Sequence, residues 1–160
     1  LLCKHTSSSN NPEHYMMLGQ LYEQSNESSK ADKIYKTIID QLVANPSSII
    51  NTFNAFRKYN KTEQSYQTLL KGRSLLKTAY PLNFQFADYY GAIGDTKRMI
   101  QELLQLLDVN PGYKSTIQGY LARVCDFTAT ESETYNQLKN ELVSRANSQS
   151  NDMTSTEMLN

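Results

Sequence analysis

Residues 12–46 read PEHYMMLGQLYEQSNESSKADKIYKTIIDQLVANP, and this stretch decides the fold. Its apolar residues recur at helical spacing in two stripes that are separated by the polar segment 26–29. The stripes are Tyr15, Leu18, Leu21 and Tyr22, and then Ala31, Ile34, Tyr35, Ile38 and Leu42. A proline stands at each end, where its fixed φ suits the first turn of a helix. The stretch therefore predicts a pair of antiparallel helices.

The same pattern recurs along the chain with a regular period. The dipeptide Asn11-Pro12 returns one period later as Asn45-Pro46, and Tyr80-Pro81 follows at nearly the same interval. Steps of one period along the chain reach further apolar residues. Tyr22 leads to Phe56, Tyr90 and Val124, Tyr35 leads to Leu69 and Leu103, and Tyr15 leads to Ile49. A period of about 34 residues is typical of a helical solenoid. The predicted helices are 13–24, 28–44, 47–59, 62–78, 82–92, 95–108, 113–126 and 131–146, with no strand.

The first unit resembles the tetratricopeptide repeat family, through Tyr15, Leu18-Gly19, Tyr22, Ala31 and Tyr35. The third unit is similar through Phe86-Ala87, Tyr90, Gly94-Asp95, Leu103 and Asn110-Pro111, while the second carries Phe53 where the family has Gly. The resemblance implies an all-α fold, a right-handed α-solenoid or α-α superhelix of about four helix hairpins. The expected repeats are 12–45, 46–79, 80–113 and a degenerate fourth at 114–147.

The two ends of the chain read as parts of further repeats. Residues 1–11 resemble the tail of a preceding repeat helix with a linker, and residues 148–160 resemble a linker with the start of another repeat. We therefore expect an excerpt of a longer protein. The segment 71–81 and the helix after it are similar to long bacterial repeat proteins, which favours the periplasm or cell envelope over the cytoplasm.

Composition excludes several classes of function. Sixteen Lys and Arg balance sixteen Asp and Glu and are spread along the chain, so the sequence predicts no nucleic-acid partner. Its apolar runs are far shorter than the roughly 20 residues of a membrane helix, so no membrane insertion of this segment is expected. Gly91-Ala92-Ile93-Gly94 follows a helix instead of a strand and is read as a turn. With no nucleophile, base and orienting group converging, we expect no enzyme, no catalytic residue and no cofactor.

Cysteine and histidine allow a metal site to be considered near the start of the chain. Cys3, His5 and Glu13 are the types of ligand that zinc takes, but polar residues at a repeat junction are the favoured interpretation, with no metal. Cys3 and Cys125 are separated by more than three repeats, beyond the Cα distance of about 7 Å that a disulfide allows. We predict that both are free thiols.

The predicted function is a protein-protein interaction scaffold. The resemblance implies that the first helix of each pair lines a concave groove that binds a protein or peptide partner. The groove positions are Met16, Gln20, Glu23, Ile50, Asn54, Arg57, Lys58, Phe84, Asp88 and Gln118. Asn54, Arg57 and Lys58 are expected to supply polar contacts, and Met16, Ile50 and Phe84 apolar ones. Met16 and Gln20 stand where a chaperone-binding carboxylate clamp needs Lys and Asn, so that clamp is not predicted.

Two alternatives remain open at this stage. The array is either a scaffold in its own right or the targeting or regulatory module of a larger enzyme or envelope assembly, whose chemistry lies outside these residues. A competing interpretation of Ile50 and Phe84 is that they complete the packing between repeats. Tyr59, Tyr66, Tyr89 and Tyr113 fall off the apolar stripes and are expected to face solvent or a partner.

Overall fold

The computed structural model describes residues 12–124 and 132–148. Over these ranges the chain is all-α, with eight α-helices and no strand. The helices are α1 (Pro12–Gln24), α2 (Ser28–Asp40), α3 (Pro46–Lys58), α4 (Thr62–Leu76), α5 (Asn83–Ala92), α6 (Thr96–Val109), α7 (Lys114–Val124) and α8 (Glu133–Ser148). The predicted all-α class is confirmed, and the helices fall where the apolar periodicity places them.

Three helix pairs are joined by the same turn, and the turns are spaced by the period of the sequence. Asn26, Asn60 and Gly94 have φ values of 59°, 56° and 78°, and each follows the first helix of a pair. The next residue in each turn donates its backbone N–H five residues back, to the carbonyls of Tyr22, Phe56 and Tyr90, at 2.8, 2.9 and 2.9 Å. A residue with a left-handed backbone conformation at this position terminates a helix, and Asn and Gly adopt that conformation most readily. The sequence period is thus also a period of backbone structure.

The chain forms two compact units that divide between Leu82 and Asn83. In the first unit α1 pairs with α2 and α3 pairs with α4, while α1 also contacts α3 and α2 contacts α4. Its core includes a cluster of Met16, Ala31, Tyr35, Ile38, Ala55 and Phe56. The rings of Tyr35 and Phe56 meet edge to face with centroids 5.8 Å apart. This cluster joins the first hairpin to the second.

In the first unit, Gly72 on α4 lies close to two apolar side chains. A Cβ at this position would stand 2.5 Å from Ile49 Cγ2 and 2.9 Å from Leu82 Cδ1. Phe53, which occupies the place of Gly19 one repeat later, is only 1% exposed. The Phe53 side chain is therefore accommodated in the core. The second hairpin has its buried glycine on its second helix, α4, whereas the first hairpin has Gly19 on its first helix, α1.

In the second unit α5 pairs with α6, and α8 packs against α6. Leu103 on α6 is fully buried, as predicted. Gln101 donates to Glu141 at 3.1 Å, and Arg145 forms an ion pair with Asp108, so two polar contacts join α6 to α8. The fourth predicted hairpin differs from the others, since α8 lies chiefly against α6 and not against α7. The predicted end of its first helix, at 126, lies outside the described residues.

Two helices end at least two residues earlier than predicted, the last helix is shifted by two residues to Glu133–Ser148, and one helix face differs from the prediction. The helix predicted at 28–44 ends at Asp40, and that predicted at 62–78 ends at Leu76. Both precede an X-Pro dipeptide, whose first residue is extended here at Asn45 and Tyr80, because proline disfavours the helical conformation before it. On α1, Leu18 and Leu21 are exposed while Met16 and Gly19 are buried, so the buried face is rotated from the predicted stripe.

Every helix within the described ranges is too short or too polar to cross a lipid bilayer.

Candidate functional site

A cleft of about 350 Å³ lies between the first helices of the first two repeats. Its lining residues are Pro12 and Glu13 from α1 and Asn51, Asn54, Ala55 and Lys58 from α3. Asn51, Asn54 and Lys58 are spaced by one helical turn, so they form a single polar edge. Ala55 and Pro12 supply apolar surface. The cleft thus combines two exposed amides, a cation and an anion with an apolar contact surface.

The charges of the cleft are paired across it. Lys58 Nζ donates to Glu13 Oε1 at 3.2 Å, and both side chains remain at least half exposed. The Glu13 carboxylate raises the pKa of Lys58 above its ordinary value, through this hydrogen bond and its charge. Lys58 also lies 5.6 Å from the Tyr59 ring centroid. The ammonium is therefore positioned by two neighbours but stays accessible to solvent.

Asn54 and Lys58, two of the predicted groove residues, both line the cleft, and Asn51 and Glu13 line it as well. Asn51 is one turn before Asn54, and the rule that residues three apart share a helix face would have found it. Glu13 had no such signal, because its contact with Lys58 spans 45 residues of sequence. That contact depends on how α1 and α3 pack, which the residue pattern does not specify.

Other predicted groove residues of the first unit have different surroundings. Met16 is fully buried in the core cluster, so its predicted role as an apolar groove contact is not retained. The Arg57 guanidinium lies 5.4 Å from the Phe53 ring centroid and does not line the cleft. Gln20 and Ile50 are half-buried.

Glu23 belongs to a partly buried ion pair at the first hairpin turn. Lys61 Nζ donates to both of its carboxylate oxygens, at 2.6 and 2.5 Å, and lies 5.4 Å from the Tyr35 ring centroid. Tyr35 is only 1% exposed, and its hydroxyl lies near the Glu23 carboxylate. Burial, together with the neighbouring Glu23 carboxylate, raises the pKa of Tyr35 to about 12. The ion pair between Glu23 and Lys61 thus links the first repeat to the second.

The predicted groove residues of the second unit pair with their neighbours. Phe84 is half-buried and meets the Tyr113 ring edge to face, with centroids 5.9 Å apart. Asp88 Oδ1 accepts a hydrogen bond from the Tyr120 hydroxyl at 3.0 Å. Gln118 is exposed on α7. These contacts connect the elements of the second unit.

The remaining sequence candidates contribute no further site. Among described residues no group of three or more His, Cys, Asp or Glu side chains could hold a metal ion. Cys3, His5 and Cys125 lie outside the described residues, so the prediction of two free thiols stays a prediction. Of the four off-stripe tyrosines, Tyr113 is exposed, and the other three are half-buried.

Comparisons with family models, with curated proteins and with solved structures return no match to this chain.

Proposed function

We propose that this chain is a non-catalytic, tetratricopeptide-like scaffold that binds a protein or peptide along the first helices of its repeats. The observation that carries the proposal is the cleft between α1 and α3, with Asn54 and Lys58 on its polar edge. The turn that recurs at 26, 60 and 94 supports a repeat architecture. We infer that the helix pairs stack as a right-handed α-solenoid, because α1 contacts α3 and α2 contacts α4.

The chemistry of the cleft suits an extended peptide. Each asparagine amide offers donors and an acceptor, and Asn51 and Asn54 stand one turn apart on the same edge. Such amides bind a peptide backbone without requiring a particular side chain. Ala55 and Pro12 would contact the apolar side chains of the ligand. Affinity then comes from the backbone and from buried apolar area, as in other extended-peptide sites.

Charge selection in the cleft rests on Lys58. An acidic group of the ligand competes with Glu13 for the Lys58 ammonium, and the exchange costs little because the existing ion pair is exposed to water. Arg57 lies one residue away and is exposed, so it adds long-range attraction for an acidic ligand. We therefore propose a peptide that carries an acidic side chain or a terminal carboxylate.

Selection from a library of displayed random peptides tests this function. The wild-type protein is used for enrichment, and each enriched peptide is then measured against Asn54→Ala and Lys58→Glu. Both variants are expected to bind the peptide at least about tenfold more weakly. Asn54→Ala removes amide hydrogen bonds, and Lys58→Glu reverses the charge that attracts an acidic group. Lys36→Glu, an equal charge reversal at an exposed site of α2 outside the cleft, serves as the matched control. Equal affinity of every selected peptide for all four proteins would place the binding surface elsewhere.

A further inference from the structure

A second, smaller cavity of about 110 Å³ lies beside the cleft in the first unit. It lies where the first turn of α1, the end of α2 with the segment after it, and the first two turns of α3 meet. Its lining residues include Pro12, Tyr15, Ile38, Leu42, Ser48 and Thr52. Ile38, Leu42 and Thr52 are buried, whereas Gln41, which also lines the cavity, is exposed. The cavity therefore reaches from the core to the surface.

The wall of this cavity is largely apolar. Pro12, Ile38 and Leu42 supply aliphatic surface, and Tyr15 supplies an aromatic ring. The Thr52 hydroxyl donates to the Ser48 carbonyl at 3.0 Å, so its hydrogen bond is already made within α3. A volume of about 110 Å³ holds roughly four carbon atoms, because a cavity of about 150 Å³ takes benzene. Chemistry and size together suit one aliphatic side chain.

The cavity and the cleft belong to one continuous surface. Pro12 lines both of them. On α3, Ser48 and Thr52 of the cavity lie one turn before Asn51 and Ala55 of the cleft, so the two sets occupy adjacent parts of the helix surface. A peptide that lies along α3 in the cleft thus passes the mouth of the cavity.

We propose that the cavity is the anchor site for one aliphatic side chain of the peptide that binds in the cleft. The anchor site rests on the proposed function, because the acidic group of the same peptide binds Lys58. Lys58 follows Ser48 and Thr52 by ten and six residues, which is about 9–15 Å along a helix. An extended peptide covers that distance in roughly three to five residues. The ligand therefore carries an aliphatic residue and an acidic group at this spacing.

The charges of the first unit favour such a ligand. Residues 12–82 carry nine Lys and Arg against six Asp and Glu, a net charge of +3. The described residues that line the cavity include no charged side chain, whereas Lys58 lines the cleft. The acidic group is thus directed to Lys58 and the aliphatic side chain to the cavity, which fixes the order of the two groups along α3.

Selection of displayed random peptides on the wild type, on Ser48→Leu and on Ser47→Leu tests the anchor site. Leucine at the half-buried position 48 fills the cavity and leaves Asn54 and Lys58 of the cleft unchanged. Ser47 is exposed and is not among the lining residues, so S47L is the matched control. The wild type and S47L are expected to enrich peptides with an aliphatic residue roughly three to five positions from Asp or Glu. S48L is expected to retain the acidic position and lose the aliphatic one.

Affinity measurements on one enriched peptide give a second readout. The peptide is compared with a version that carries alanine at its aliphatic position, against the wild type and against S48L. The alanine peptide is expected to bind the wild type at least about tenfold more weakly, because a buried aliphatic side chain is lost. With S48L the two peptides should differ by no more than about twofold, since the cavity is already filled. Circular dichroism verifies that S48L is folded, and the comparison on the wild type does not depend on that variant.

The outcomes separate the anchor site from the proposed function. Peptides that lose affinity for Lys58→Glu but have no aliphatic residue at this spacing would disprove the anchor site and leave the proposed function standing. An equal effect of the alanine replacement on the wild type and on S48L would do the same. A wild type that enriches no peptide would reject the proposed function, and the anchor site with it.

Discussion

Gly19 of α1 lies directly against the ring of Tyr35 on α2, so close that a Cβ on residue 19 would stand 2.3 Å from Tyr35 Cε1. The ring has little room to withdraw. It is buried, its edge packs against Phe56, and the Lys61 ammonium lies 5.4 Å from its centroid. The approach of the two helices in the first hairpin therefore depends on the absence of a side chain at residue 19.

Gly19→Ala is expected to destabilise the protein. Insertion of a methyl group into a packed contact costs about 1–3 kcal/mol. The better helix propensity of alanine offsets up to about 1 kcal/mol of that cost. Urea unfolding, followed by circular dichroism, measures the difference in the free energy of unfolding.

Gly119→Ala is the matched control for this substitution. Gly119 is also within a helix, α7, but apart from its chain neighbours and the nearby backbone of α7 no atom of the described residues lies within 4 Å of its Cβ position. Alanine there should leave stability unchanged or raise it by up to about 1 kcal/mol. A Gly19→Ala protein as stable as the Gly119→Ala protein would contradict the close packing of α1 against α2.

The stability of the protein at alkaline pH is expected to depend on Tyr35. Its pKa is about 12 in the folded protein, against 10.0 in an exposed tyrosine, because burial and Glu23 disfavour the phenolate. Between these values the folded state holds a proton that the unfolded state has lost. The contribution is therefore complete below pH 10 and is lost as the pH rises from 10 towards 12, by an amount on the order of 2–3 kcal/mol.

Tyr35→Phe isolates this contribution, since phenylalanine has no proton to lose. The free energy of unfolding of the wild type should fall more steeply than that of the variant between pH 10 and 12. Below pH 10 the difference between the two proteins should not change with pH through this group, because the Tyr35 hydroxyl stays protonated in both the folded and the unfolded state. Parallel pH profiles for the two proteins would show that the Tyr35 hydroxyl titrates normally.

The sequence predicted the helices because polar turns interrupt its apolar periodicity at a regular interval. The apolar pattern predicted the wrong buried face for α1, because its apolar residues at 15–18, 21 and 22 fit more than one helical stripe. Gly19 marks the buried face, but glycine adds no apolar signal, and its role appears only when Tyr35 is seen against it. Half of the cleft was predictable from Asn54 and Lys58 on one helix. The other half, Glu13, depends on packing between helices that are distant in sequence.

Leu103→Ala is expected to lower the free energy of unfolding by about 2–5 kcal/mol. Leu103 is fully buried on α6, the helix that pairs with α5 and contacts α8, so alanine would leave a cavity. Val109→Ala, at a 65% exposed position of the same helix, should change stability by no more than about 0.5 kcal/mol. Similar losses for the two variants would contradict the assignment of Leu103 to the core.

A buried polar contact in the second unit gives the last prediction. Asn83 Nδ2 donates to Glu102 Oε2 at 2.8 Å, and the two residues are only 4% and 8% exposed. Asn83→Asp replaces this donor with a second carboxylate. Two carboxylates in one buried site repel each other, and Glu102 loses the hydrogen bond that Asn83 Nδ2 donates.

The Asn83→Asp protein is expected to be less stable than the wild type by about 2–4 kcal/mol at pH 7. Repulsion raises the pKa of one carboxyl of the pair in the folded variant, so the folded state gains a proton as the pH falls and the deficit narrows between pH 7 and 4. Asn110→Asp is the matched control, since Asn110 Oδ1 accepts from the Gly112 N–H at an exposed site and a carboxylate keeps that bond. Urea unfolding at several pH values measures both variants. A deficit that is independent of pH, or equal in the two variants, would exclude charge repulsion at Glu102 as its cause.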